Sequence, residues 1–133
     1  MNGPLETRLI GKEIGKASAL KMCYAAYSKG TTALLAAILT TAESLGVREN
    51  LYEQWDMDSI GFSDQVTQRV RRVTSKAWRF ESEMKEIAST FQEAGLPDNF
   101  QEAAAEINHR MADFKDSTVT PPLQDVIKAL MEH

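Results

Sequence analysis

Apolar and polar positions between Gly15 and Val47 follow the period of an α-helix, and they predict one long helix from near Lys16–Ser18 to about Leu45. On a wheel drawn at about 100° per residue, larger side chains fall on one side and predict the packing face: Leu20, Cys23, Tyr27, Leu34, Ile38 and Leu45. A second, narrower side carries small and polar residues: Ser18, Lys21, Ala25, Ser28 and Thr32. Gly46 is placed to end the helix in the left-handed conformation. Gly30, inside the helix, predicts either a close approach by another element or a bend.

The helical period returns in four further stretches after the long helix. In the second of them Ser63 is the predicted N-cap, and a break is allowed near residues 72–75, which include weak helix formers. Gly95 and Pro97 supply the stop signal at its end, and Pro122 suits the first position of the last helix. The four predicted helices cover residues 47–55, 64–94, 100–114 and 122–133.

These stretches predict an all-α fold of five to six helices around a long central helix, because no alternating run is long enough for a strand. Residues 1–15 contain Pro4 and three glycines without a sustained period, so they are predicted as a lead-in segment. Residues 16–133 are predicted as a single helical domain.

Composition excludes several classes of protein. The net charge of −4 makes nucleic acid a poor partner, since binding to it relies on clustered Lys and Arg. The single cysteine, Cys23, allows neither an intrachain disulfide nor a cysteine-based zinc cluster. The longest uncharged stretch, Gly30–Ala42, is too short for a membrane span, and the N-terminus lacks the apolar core of a secretory signal. We expect a cytoplasmic protein with no membrane partner.

Motifs for phosphate loops, dinucleotide loops, zinc proteases and serine hydrolases are absent from the sequence. Glu106 and His109 form the Glu-x-x-His half-motif of di-iron bundles, but such sites require a second pair and further glutamates. The other histidine is the C-terminal His133. No metal site is therefore predicted.

After the Glu-x-x-His half-motif, the second candidate for a functional site is a basic stripe with an aromatic neighbour. Arg69, Arg72, Lys76 and Arg79 recur at helical spacing close to Trp78. They could bind a phosphate, a carboxylate or an RNA backbone. They could equally form a solvated face, partly neutralised by Glu83 four residues after Arg79.

Lys21 is the third candidate. A lysine on a helix face is most often simply solvated, since lysine is rarely buried. A lysine acts as a general acid or base when burial or a neighbouring cation lowers its pKa. The small side chains beside Lys21 would let a covering domain desolvate it.

The stretch GKASALKMCYAAYSKGTTALLAAIL resembles the start of the C-terminal helical domain of the β-hydroxyacid dehydrogenase superfamily. KAWRFESEMKEIA and FQEAGLPDNFQEAAAEI resemble its branch of phosphogluconate dehydrogenase-like proteins, so the similarity covers nearly the whole chain after Gly15. The resemblance implies that Lys21 is the catalytic acid/base acting on the substrate hydroxyl. It also implies that Ser18, Tyr24 and Ser28 line the substrate cleft and that Glu83 contacts the cofactor. Tyr24 stands where most of the superfamily has asparagine.

The resemblance also implies partners. The family's N-terminal Rossmann domain is not part of this sequence, so we expect the chain to supply half of an active site and to be inactive alone. NAD or NADP is expected in the parent protein and none is expected on the isolated chain. The implied partners are that Rossmann domain, a small hydroxyacid substrate and a second copy in a homodimer. The alternative is a non-enzymatic helical module that self-associates through its long helix.

Overall fold

Helices form all the regular secondary structure in the part of the chain that the structure describes. The computed structural model describes the backbone of residues 4–132 and the side chains of residues 13–132. Six α-helices and one short 3-10 helix follow one another: α1 (Pro4–Ser44), α2 (Arg48–Asp58), α3 (Phe62–Val73), α4 (Ala77–Glu93), α5 (Asn99–Arg110), the 3-10 turn Ala112–Phe114 and α6 (Leu123–Met131). Helix α1 packs against each of the other five α-helices. The predicted all-α class with a long central helix is confirmed.

Several predicted helix ends are confirmed. Gly46 follows α1 with a φ of 72°, and Gly95 follows α4 with a φ of 81°. Both glycines occupy the left-handed region that closes a helix without a Cβ clash. The allowed break is also present, because α3 ends at Val73 and α4 begins at Ala77.

The predicted N-cap of α3 is wrong by two positions. Helix α3 begins at Phe62, and Gly61 occupies the N-cap position. Ser63 lies inside the first turn, where its backbone N–H and its hydroxyl donate to the two carboxylate oxygens of Asp56 at 2.9 and 2.7 Å. The first turn of α3 is thus satisfied by a carboxylate from the end of α2, which serves the same purpose as a local cap.

The start of α1 differs from the prediction. The sequence predicts a start near Lys16–Ser18, whereas the helix already begins at Pro4. Gly11 and Gly15 weaken the helical signal before Lys16, since each costs about 1 kcal/mol relative to alanine. Pro4 suits a first helical position because it has no N–H to leave unpaired. The division into a lead-in segment and a domain stays a prediction.

The two faces of α1 are the reverse of those predicted. The buried residues are small with one exception: Ala25, Thr32, Ala33, Ala36, Leu39 and Ala42. The predicted packing face is largely exposed, with Leu20 71%, Tyr27 66%, Leu34 59% and Leu45 70% accessible. Small residues allow neighbouring helices to approach α1 closely, so these helices pack against the alanine side of α1. We call the exposed side, defined by Leu20, Cys23, Tyr27, Leu34 and Leu45, the outer face of α1.

Two clusters of buried side chains hold the body together on the inner side of α1. One joins α1 to α3 and α6 around Leu39, Val70 and Val126, and the other joins α1 to α4 and α5 around Met84 and Ile87. Burial begins only at Ala25: of the described side chains before it, Met22 alone is half-buried and the rest are exposed. The described stretch before Ala25, residues 13–24, therefore extends beyond the body.

None of the helices within residues 4–132 is long and apolar enough to cross a membrane.

Candidate functional site

Lys21 lies on the part of α1 that extends beyond the body, and it is exposed. Seven residues, about two helical turns, separate it from Ser28. Ser18, Lys21 and Ser28 therefore point to one side of the helix, and Tyr24 lies about 60° from Lys21 on the same wheel. Ser18 and Tyr24 are exposed, and Ser28 is half-buried. We call this side of α1, from Ser18 to Ser28 with Tyr24 at its edge toward the outer face, the wall, and the described residues leave it open around Lys21.

Arg69 of α3 closes the other end of this wall. Its Nε donates to Thr32 Oγ1 at 2.7 Å, and its Nη2 donates to the Ser28 carbonyl oxygen at 2.8 Å. The Thr32 hydroxyl donates to the same carbonyl oxygen at 2.9 Å. The two charge-assisted bonds from Arg69 link α3 to α1 beside the candidate site. Sequence reasoning placed Arg69 in the basic stripe and missed this role.

Glu83, the expected cofactor contact, binds Lys29 in the structure. The Lys29 ammonium lies 2.6 Å from Glu83 Oε1 and 4.4 Å from the centroid of the Phe80 ring. The two charged side chains are each 29% exposed, so the pair joins α1 to α4 at the edge of the body. A nucleotide contact by Glu83 would have to share its carboxylate with Lys29.

The basic stripe does not form one line of charge. Arg69 turns inward to α1, whereas Arg72, Lys76 and Arg79 are exposed on either side of the break between α3 and α4. The ring of Trp78 faces Lys115, whose ammonium lies 4.2 Å from the ring centroid. The aromatic side chain thus contacts a cation from outside the stripe.

The two residues of the Glu106–His109 half-motif contact different partners and not a common site. His109 Nδ1 lies 3.0 Å from Glu81 Oε1 on α4, and Glu106 lies 3.9 Å from Arg110. The hydrogen bond with His109 is the main cause that lowers the pKa of Glu81. No group of three metal-ligating side chains occurs among residues 13–132.

A groove of about 430 Å³ runs between α1 and α5. It was not predicted, although its α1 wall shows a pattern of small residues at helical spacing: Ala26, Gly30, Ala33 and Ala37. The α5 wall includes Gln101, which is 5% exposed. Phe100 stands at the groove with 75% of its surface accessible. At Gly30, for which the sequence predicts a close approach or a bend, α1 continues as a helix and Gln101 of α5 lies opposite, at a distance that would also accept a Cβ.

One comparison with known proteins gives a match. The family model described as "Domain of unknown function (DUF1932)" matches residues 42–111, which is more than half of the chain. The match begins in the last turn of α1 and ends just after α5, so Lys21 and the groove wall on α1 lie outside it. Neither the curated proteins nor the solved structures give a match.

Proposed function

Because the chain belongs to the DUF1932 family, which forms the C-terminal helical part of NAD-dependent hydroxyacid dehydrogenase-like proteins, we propose that it is the substrate-binding and dimerisation domain of such an oxidoreductase. The observation that supports this proposal is the first half of α1. It carries Lys21, Ser18 and Tyr24 on exposed surface beyond the body. A nucleotide-binding domain that covers this surface would form a cleft with Lys21 in its wall.

In the proposed reaction the Lys21 side chain exchanges a proton with the hydroxyl of a small hydroxyacid. NAD or NADP, held by the partner domain, would accept the hydride. Ser18 and Ser28 offer hydroxyl groups that can donate to or accept from the substrate, and Tyr24 offers a phenol in place of the family's asparagine amide. Covering this wall excludes water from the site, which strengthens each of these polar interactions.

The cofactor proposal assigns the main binding site to the partner domain. Within residues 4–132 the fold has no strand followed by a glycine-rich loop, the arrangement that holds a dinucleotide pyrophosphate. Glu83 remains the residue of this chain proposed to reach the cofactor, from its place beside Lys29. We expect the isolated chain to bind neither NADH nor NADPH, and titration of the reduced nucleotides' fluorescence measures this.

Substitution of Lys21 tests the reaction in a protein that contains both domains. Lys21→Ala should lower kcat by about 10²–10⁴-fold, the usual contribution of a positioned general acid or base. The affinity for the nucleotide should change little, because Lys21 lies on the substrate side. Lys21→Arg keeps the positive charge, but a guanidinium does not lose its proton near neutral pH. This variant should therefore be equally inactive. Unchanged turnover in Lys21→Ala would remove Lys21 from the mechanism.

The outer face of α1 supports a second candidate function, a helical module that self-associates without catalysis. Between Leu20 and Leu45 the charged residues of α1 are Lys21, Lys29 and Glu43, and all three lie away from the outer face on the helical wheel. An exposed apolar face of this length is typical of an interaction surface. The same face would serve a homodimer of the oxidoreductase.

Sedimentation at increasing protein concentration tests self-association. We expect a dimer whose fraction rises with concentration, and Leu34→Glu should shift it to monomer by placing a charge in the apolar contact. Val119→Glu is the matched control, because Val119 is an exposed apolar residue in the loop before α6 and not on the outer face of α1. A strict monomer at every concentration would contradict both the dimer and the interaction module.

A further inference from the structure

Two features of the groove between α1 and α5 each work against stability. The first is Gly30 in the middle of α1, where alanine would favour the helix. A Cβ added at Gly30 would meet Gln101 Oε1 at 3.5 Å and Gln101 Nε2 at 3.9 Å, which are ordinary contact distances. Packing therefore does not require glycine at this position. Its effect is to leave the groove wall open beside the Gln101 amide.

The second feature is the Gln101 side chain itself. It is 5% exposed, and within the described chain its Oε1 accepts no hydrogen bond. A buried acceptor without a donor is unfavourable, and such atoms in folded proteins usually have a partner. The last torsion of a glutamine side chain is broad, so the amide can turn toward a donor in the groove. Oε1 itself is covered in this structure, so a donor in the groove would reach it after this turn, on the side where Gly30 leaves room.

We propose that this groove binds a neutral, mainly apolar small molecule that donates one hydrogen bond to Gln101 Oε1. Its volume of about 430 Å³ lies in the range of small-molecule sites. Among the described residues that line it none is charged, which favours a neutral ligand, and most are Ala, Leu, Ile or Phe. The exposed Phe100 ring offers a face for stacking. Such a site lies apart from Lys21 and does not depend on the proposed dehydrogenase function.

Indole and 1-methylindole form a pair of probes, because both are flat, neutral and mainly apolar, and 1-methylindole carries a methyl group in place of the N–H donor. We expect millimolar indole to shift the backbone amide signals of Gly30, Ala33 and Gln101 in ¹H–¹⁵N spectra of the chain. Indole should bind about three- to tenfold more tightly than 1-methylindole, the range expected for one hydrogen bond to a buried acceptor.

Two variants separate the parts of the proposal. Gln101→Met removes the acceptor at similar size, so indole and 1-methylindole should bind equally to it. Gly30→Leu fills the groove and should abolish the shifts by both probes. Circular dichroism of each variant confirms that it is folded, and Gly30→Ala provides a milder block if Gly30→Leu does not fold.

Three outcomes would overturn the proposal. The first is an absence of shifts at the groove with indole. The second is equal affinity of the two probes for the unaltered chain, which would deny the role of Gln101. The third is a change in the amide shifts of the groove residues with protein concentration and not with added indole. This would show that a second copy of the chain occupies the groove.

Discussion

Asp56 illustrates how one side chain at the end of α2 organises the start of α3. Its carboxylate accepts the backbone N–H and the hydroxyl of Ser63, and the first of these bonds is the main cause that lowers its pKa below the usual 3.8. A group with a lowered pKa stabilises the fold above its unfolded pKa. That stabilisation is lost as the pH falls through the folded pKa. The contribution of Asp56 is therefore complete at neutral pH and disappears in acid.

Asp56→Asn should lower the Tm at neutral pH, because an amide replaces a charged acceptor at the N-terminus of α3. The Tm difference from the unaltered chain should shrink as the pH falls below about 4, where the carboxyl of the unfolded chain becomes protonated, and through the lowered pKa of folded Asp56. Thermal unfolding followed by circular dichroism at several pH values measures it. Asp58→Asn is the matched control, since Asp58 is exposed and accepts only a local bond from Gln54 among the described contacts. A Tm difference independent of pH would show that the charge is not the cause.

Glycine substitutions separate the role of a glycine inside α1 from the role of the glycine that follows α1. Gly30→Ala should raise the free energy of unfolding by up to about 1 kcal/mol, because alanine favours the helix and its Cβ makes only an ordinary contact with Gln101. Gly46→Ala should lower it by about 1 kcal/mol or more, because Gly46 has a φ of 72°. Urea unfolding of both variants tests this. A loss of stability in Gly30→Ala would indicate that the groove is already tightly packed.

At the scale of the helix, two leucines five residues apart test which face of α1 is buried. Leu39 is fully buried and Leu34 is 59% exposed. Leu39→Ala should lower the free energy of unfolding by about 2–5 kcal/mol, as expected for a cavity in a core. Leu34→Ala should change it by less than about 0.5 kcal/mol in the monomer, as for other surface positions. Equal losses, measured by urea unfolding at low protein concentration, would contradict the assignment of the faces.

Helix type and number could be predicted because the helical period persists through each stretch and glycine or proline marks most ends. The faces of α1 could not be predicted. The prediction assigned the larger apolar side chains to the packing face, whereas the neighbouring helices pack on the alanines of α1. The position of Lys21 on a polar stripe follows from spacing alone. The bonds from Arg69 to Ser28 and Thr32 depend on where α3 lies, and the groove depends on where Gln101 of α5 lies. Local pattern holds no information about either placement.

On the scale of the whole molecule, α1 is longer than the body that supports it. Its 41 residues span about 60 Å at 1.5 Å per residue. Burial on its inner side starts at Ala25, so its first half has few tertiary contacts among the described side chains. Most helical stability in proteins comes from packing, so this half of α1 depends largely on its own weak helical propensity.

Amide hydrogen exchange should therefore show a gradient along α1. Amides between Glu13 and Lys21 should exchange much faster than those near Ala36 and Leu39, where the helix lies in the core. Exchange followed by NMR measures both groups in one experiment. Uniform protection along α1 would mean that the first half is covered in solution, and its dependence on protein concentration would show whether a second copy covers it.

A partner that recognises a helix binds the first half of α1 only when that half is helical. Its apparent affinity is then the intrinsic affinity multiplied by the fraction of molecules in which the helix is formed. Gly15→Ala raises that fraction, and an added Cβ there meets no atom within 4 Å. The substitution should strengthen docking by up to about fivefold, the equivalent of 1 kcal/mol, without altering any contact. Calorimetric titration with the nucleotide-binding domain, supplied as a separate chain, measures this gain. The intrinsic helicity of the first half of α1 thus becomes a control on affinity.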